Sequence, residues 1–247
     1  MCGRFSLETN WTEMVRQFAL RSNVDRGPAL APRLNIAPTQ PILMVGELGG
    51  QERNALLVRW GFLPTWVEDP KDFPLIINAR SETAISKPSF RHAMRHRRAL
   101  IPVSGFYEWQ RFGKGQPSQP YYVRPRDDGI IAFGALMETW TEPGGTEMDT
   151  GCIITTAAND SFAPIHHRLP LVIQPKDFDR WLDCRTQEPR DVADLMVPVQ
   201  DDFFEAIPVG KAVNKVANDA RAIQTRVEPM TDDGKAPEAA EQQLSMF

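Results

Sequence analysis

The sequence predicts an α+β domain built on a mostly antiparallel sheet. Three observations carry this. Short runs rich in β-branched and aromatic residues recur along the chain. Clusters of Gly and Pro separate them, and the 21 prolines fit a body rich in loops. Few stretches long enough for a crossover helix lie between successive runs, which disfavours a doubly wound sheet. The 247 residues suffice for one large domain or two small ones, and 42% apolar content supplies a sizeable core.

The elements follow in order. Residues 10–20 read as a helix, because Trp11, Met14, Val15, Phe18 and Ala19 share one face. Asn10 and Glu13 stand at capping spacing in front of it. Strands are expected at Ile42–Val45, Ala55–Trp60 and Leu75–Asn78, then a helix at Ser89–His96 behind Pro88. Further strands are expected at Leu100–Val103, Tyr121–Val123, Ile130–Leu136, Cys152–Thr156 and Leu171–Ile173, with Glu108 on a strand between Tyr107 and Trp109. Lys176–Leu182 reads as a last helix with Phe178, Trp181 and Leu182 on one side. Gly49-Gly50, Gly113-Lys114-Gly115 and Pro143-Gly144-Gly145 mark turns.

Charge divides unevenly. The chain carries 28 Lys+Arg and 32 Asp+Glu, a net −4. Segment 228–247 holds Glu228, Asp232, Asp233, Glu238 and Glu241 against Lys235, so the tail accounts for all of it. Residues 1–227 balance to zero, which excludes a globally basic nucleic-acid coat but not a local basic site. We expect one domain over 1–227 and a disordered acidic tail over 228–247, where large apolar side chains are too few to offset ordering entropy. Cys2, Cys152 and Cys184 are too few and scattered for a disulfide framework, and no Cys-x-x-Cys pair supports zinc. A reducing compartment, no membrane-length apolar run and no signal-peptide layout together suggest a cytoplasmic protein.

Cys2 is the most informative residue. If Met1 is removed, Cys2 presents an amine and a thiol on adjacent carbons. Their reference pKa values, about 7.7–8.0 and about 8.5, make both nucleophiles accessible near neutrality. Such a pair condenses with an aldehyde to an imine, and the thiolate then closes a five-membered thiazolidine. Taken alone, Cys2 reads more simply as a small apolar residue at a retained terminus. A second chemistry shares the opening: Met-Cys-Gly also begins class II glutamine amidotransferases, whose terminal cysteine attacks an amide. Arg4 stands where those enzymes usually carry an aliphatic residue, and no Asn-Gly element follows, which weakens that alternative. A third reading is a non-covalent single-strand-binding module with an inert Cys2.

Further motifs sharpen the choice. The chain reads Cys2-Gly3-Arg4-Phe5, Asn35-Ile36-Ala37-Pro38-Thr39, Trp60-Gly61-Phe62-Leu63-Pro64 and Asn78-Ala79-Arg80-Ser81-Glu82-Thr83. Gly105-Phe106-Tyr107-Glu108-Trp109, Thr155-Thr156-Ala157-Ala158, His166-His167-Arg168-Leu169-Pro170, Val213-Asn214 and Asn218-Asp219 follow. In that order the chain closely resembles the SOS-response-associated peptidase (SRAP) family, the abasic-site processing proteins, over residues 2–227. The resemblance implies a single domain around a twisted, barrel-like, mainly antiparallel sheet flanked by short helices. It implies binding of single-stranded DNA at abasic sites and a covalent thiazolidine crosslink through Cys2 that shields the lesion during replication. It also implies lyase-type imine chemistry and a self-directed peptidase step that frees the cysteine.

The resemblance also distributes roles. Glu108 would assist sugar-ring opening and imine formation, its pKa raised by the aromatic neighbours Tyr107 and Trp109. Asn78 would orient the Cys2 amine or hold the sugar. His166 would move the proton, with His167 standing where an acidic residue is common. Arg4 and Arg80 would hold phosphates, while Trp66 and Pro38 would stack on or wedge against bases. Asn35 and Thr156 complete the DNA-facing set. The basic run Arg91–Arg98 would guide the backbone or simply face solvent. His92 and His96 have ligand-like spacing but no evident third partner, so neither metal nor cofactor is expected. The last residues, Gln243, Leu244, Ser245, Met246 and Phe247, resemble the peptide that docks on bacterial sliding clamps, which would place the protein at replication forks in the nucleoid.

Overall fold

In the computed structural model the described residues are 2–21, 31–47, 52–142 and 144–230. Two sheets share one core. The first is a ring. Strands β3 (Pro41–Gly46) and β4 (Asn54–Trp60) form a hairpin. β4 runs parallel to β10 (Glu147–Ala157), and β10 pairs antiparallel with β9 (Ile131–Thr141). β9 pairs with β6 (Arg98–Val103), and β6 returns to β3, closing a five-stranded barrel. β5 (Asn78–Arg80) and β11 (Arg168–Pro170) lie along β10, and β12 (Val172–Ile173) along β9. The second sheet is open, in the order β13 (Phe204–Pro208), β8 (Ser118–Pro125), β7 (Gly105–Arg111), β1 (Phe5–Leu7), β2 (Arg33–Ile36).

Alternation along the ring explains the layers, since successive side chains on a strand face opposite ways. Ile42, Met44, Ile101, Phe133 and Ile153 point inward and join Phe5, Phe106, Val123 and Phe204 of the open sheet. Leu43, Val45, Leu100, Leu136 and Ile154 point outward under α1 (Trp11–Phe18), α3 (Pro88–His96) and α4 (Phe178–Leu182). The side chain of Asn10 caps α1 by accepting from the Glu13 amide at 2.9 Å, while the Glu13 carboxylate takes the Thr9 hydroxyl. Arg98 is 1% exposed, and its guanidinium donates to the carbonyls of Trp181, Met94, Asp183 and Gln187 at 2.7–3.0 Å. It thus ties the ends of α3 and α4 to β6, satisfying carbonyls that a helix end leaves open.

The expected α+β class and the barrel-like, mainly antiparallel sheet are present. Some elements differ. The run Leu75–Ile77 is not a strand: Ile76 makes a single bridge to Phe62, and the ladder begins at Asn78. The last helix starts at Phe178, after a 3-10 turn at Pro175–Asp177. β1, β2, β11 and β13 were not expected. β1 and β11 have three residues each, too few to show alternation. The expected Gly49-Gly50 turn, part of the Pro143-Gly144-Gly145 turn, and the tail beyond Met230 lie outside the described residues. Val227 and Met230 still hydrogen-bond the body, through the Pro208 carbonyl (2.9 Å) and the Gln119 side chain (3.0 Å).

Candidate active site

The start of the chain enters through β1, between β7 and β2 of the open sheet. β1 pairs Phe5 with both Ile36 and Phe106, and the Tyr107 amide extends the ladder to the Arg4 carbonyl at 2.8 Å. This register carries residues 2–4 alongside β7 toward Glu108. Gly105 allows it: a Cβ there would stand 2.5–2.6 Å from the Tyr122 ring and hydroxyl, and that hydroxyl meets Ser6 Oγ at 3.1 Å. Cys2 ends up 1% exposed, at the rim of the barrel interior.

Three further predicted residues converge on it. Asn78 Nδ2 donates to the Cys2 carbonyl at 3.1 Å, and its Oδ1 is buried with no hydrogen-bond partner among the described residues. Trp60 braces this segment: its indole N–H donates to the Ile77 carbonyl at 3.1 Å, while its ring meets Phe5 at 5.1 Å. Glu108, 3% exposed, acts electrostatically on both the Cys2 thiol and the His166 imidazole. Burial pushes the thiol well above the ordinary cysteine range, and Glu108 adds to the shift. Burial also holds the His166 imidazolium below the ordinary histidine range, against the pull of Glu108 and with a push from His167. His166 Nδ1 faces the Arg168 main chain, 3.0 Å from its amide nitrogen and 3.3 Å from its carbonyl oxygen. His167 is exposed and stacks on His166, with centroids 4.3 Å apart.

One expected reason fails. Tyr107 and Trp109 do not shield Glu108, because alternation along β7 puts them on the other face. There Tyr107 packs with Leu34, Tyr122 and Val213, and Trp109 packs against this cluster. The aromatic ring on Glu108's own side is Phe106.

The predicted DNA-facing residues fall into two groups. Trp66 is 57% exposed and sits edge-on against Phe73, and Arg80 is exposed at the end of β5. Pro38 is half-buried in the turn after β2, where Thr39 adopts a left-handed φ of 73°. A groove of about 610 Å³ runs past Asn78 and Arg80 to Lys87, with Leu75, Ile76 and Phe90 in its walls. The second group is built into the fold. Asn35 is buried, its Oδ1 accepting from Arg4 at 2.7 Å and its Nδ2 donating to the carbonyls of Val213, Lys215 and Asn218. Arg4 is half-buried, also donates to the Val213 carbonyl, and lies 5.9 Å from the Trp109 ring centre. Thr156 is buried on β10, and its hydroxyl donates to the Ala157 carbonyl. His92 bonds Glu138 at 2.7 Å and Arg95 pairs with Glu188, so part of the basic run is neutralised locally. A larger groove, about 760 Å³ between Val172–Asp177 and Asp194–Phe203, contains none of these residues.

Sequence reading missed two supports. Glu82 grips Arg168 with both oxygens, at 2.5 and 2.9 Å. Asn214 accepts the Trp109 indole N–H at 2.8 Å. Both residues stand in the quoted motifs, but pairings across 86 and 105 positions leave no local pattern.

Comparison with known proteins points to one family. The sequence profile of the SOS response associated peptidase (SRAP) family matches residues 1–216. The chain is 34% identical over 220 residues to the abasic site processing protein YoqW of Bacillus subtilis (strain 168), covering 89% of this chain and 97% of that one. It is 30% identical to the abasic site processing protein YedK of Escherichia coli (strain K12), covering 88% and 96%. A crystal structure of a protein from Bacteroides thetaiotaomicron has the same fold, with a TM-score of 0.79 at 22% identity over 92% of this chain and 100% of that one.

Proposed function

The chain belongs to the SOS response associated peptidase family, and from that premise we propose that it processes abasic sites in single-stranded DNA by covalent capture through Cys2. The single observation that carries the proposal is the convergence of Asn78, Glu108 and His166 on Cys2 from three separate segments. An abasic deoxyribose opens to an aldehyde at C1′, the partner an aminothiol needs.

The steps follow from the site. Hydrolysis of the Met1–Cys2 peptide bond consumes one water and frees the amine. That amine attacks C1′, a C–N bond forms, and the resulting hydroxyl leaves as water after protonation, giving an imine. The thiol sulfur then bonds to the same carbon while its proton passes to the nitrogen, closing the thiazolidine. Glu108 and His166 are the groups placed to move these protons, the imidazole held toward its neutral form by burial. Asn78 fixes the Cys2 carbonyl and so the direction of the amine. The lyase-type imine chemistry and the peptidase step use this same constellation. Arg80 and Lys87 give the adjoining groove charge for phosphates, and Trp66, exposed outside that groove's lining, offers a face for a base. Residues 243–247 supply a clamp-docking peptide that brings this chemistry to replication forks.

The test is direct. Full-length protein incubated with an abasic oligonucleotide gives a heat-stable protein–DNA band, with a mass equal to the two partners less Met1 and one water. A Cys2→Ala variant loses the band. A full yield of stable adduct from Cys2→Ala, or from protein that retains Met1, refutes the reading.

A further inference from the structure

We propose that α3 carries a site for an imidazole-seeking divalent ion such as zinc: His92 and His96 supply the two protein ligands, and the buried Glu138 orients His92. Neither histidine belongs to the constellation around Cys2, and the inference does not depend on the covalent reading.

The helix presents the pair. α3 follows the single turn α2 (Ser81–Ala84) and has 9 residues. Phe90, Ala93 and Met94 bury its inner face, while His92 and His96, four positions apart, are both exposed on the outer one. His96 is the last residue of α3, and that end is tied down. The Arg97 amide bonds the Ala93 carbonyl at 2.7 Å, and Arg98 takes the Met94 carbonyl at 2.9 Å. The two ring centres stand 5.1 Å apart. Two imidazoles on one tetrahedral ion, with metal–nitrogen bonds of about 2.0–2.1 Å, keep their centres about 5 Å apart. The helix therefore already holds the rings at chelating separation.

Sequence spacing offers two ligands and no third partner. The fold supplies one, behind the ligand rather than on the ion. Glu138 is 3% exposed, and its Oε2 lies 2.7 Å from His92 Nδ1. An ionised carboxylate only accepts, so Nδ1 donates and the neutral ring keeps its lone pair on Nε2. A carboxylate behind a ligating imidazole fixes the ring and raises its basicity. Glu138 is itself fixed, its Oε1 accepting from the Thr139 amide at 3.2 Å. The neighbouring cations already have partners, Arg95 in Glu188 at 2.6 Å and Arg97 in Glu138 and Asp149 at 3.8 and 3.9 Å. Among the described residues no group of three His, Cys, Asp or Glu could hold an ion, so the remaining positions on this one go to water, which two exposed rings admit. Imidazole ligands suit zinc, nickel and copper better than magnesium or calcium.

Zinc titration of the full-length, chelator-washed protein gives the test, followed by calorimetry and by imidazole ¹⁵N–¹H correlation spectra. Zinc binds saturably and shifts the ring resonances of both His92 and His96. His92→Gln and His96→Gln, both at exposed positions, each abolish this binding. Glu138→Gln weakens it about 10–100-fold. If that variant does not fold, the zinc-free spectra of the unaltered chain decide the same point, because neutral His92 must carry its proton on Nδ1. Unmoved His92 and His96 resonances at millimolar zinc overturn the site, even if zinc binds elsewhere, on the cysteines or on His166 and His167. So does binding that keeps its strength in either histidine variant. A neutral His92 protonated on Nε2, or undiminished binding by folded Glu138→Gln, overturns the orienting role of Glu138.

Discussion

Replacing Asn35 by alanine separates two roles for this residue. A residue that touches DNA from the surface weakens binding when truncated but leaves stability alone. The structure instead makes Asn35 a latch between β2 and the segment around Val213–Asn218. The loss can be built from its bonds. The charge-assisted bond from Arg4 at 2.7 Å is worth about 1.5–3 kcal/mol, and the bond to Asn218 at 2.8 Å about 1 kcal/mol. The contacts to Val213 and Lys215, both 3.2 Å, share the remaining donor capacity and add little. The sum is about 2–4 kcal/mol. For a body of this size it lowers Tm by roughly 5–15 °C. Scanning calorimetry of Asn35→Ala measures it, alongside fluorescence anisotropy with single-stranded DNA. A Tm within about 2 °C of the unaltered protein, combined with weakened DNA binding, would refute the latch and restore a direct contact.

Further expectations follow from the same geometry. Glu108→Gln removes a negative charge that raises both the Cys2 thiol and the His166 imidazole, so both pKa values fall. Thiol alkylation then begins at lower pH while adduct formation drops about 10²–10⁴-fold, and a variant that crosslinks normally contradicts the proton-transfer role. Gly105→Ala drives a methyl into the rigid Tyr122 ring and costs about 1–3 kcal/mol, read as a lower urea midpoint. Truncation after Glu241 abolishes capture by purified sliding clamp and leaves adduct formation on free oligonucleotides unchanged. Equal capture of the truncated and full chains discards the docking peptide.

The sequence made the long ring strands legible, because runs such as Ile42–Val45 and Ile130–Leu136 are apolar throughout and bounded by turns. The open sheet was harder. β1 is too short for a period, and its place is set by Gly105 and Tyr122, a clearance that exists only across strands. Cys2, Asn78, Glu108 and His166 were visible as motif members, and the fold brings the last three to the buried start of the chain. What the motifs did not separate was contact from support. Asn35 and Arg4 are adjacent in space because β1 and β2 pair, and each consumes bonding groups of the other. The aromatic neighbours of Glu108 were misleading for a related reason: next in sequence on a strand means opposite in space.

Closure of the barrel has a consequence for how the molecule comes apart. A ladder arranged as a loop has no end from which to unzip, and each pairing lost leaves the others to hold the circle. β10 belongs to that circle and also carries β5 and β11, the segments bearing Asn78, Arg80 and Arg168. Hydrogen exchange should therefore be slowest at the amides of β10, and the reactive centre should survive local fraying intact, then vanish in one cooperative step.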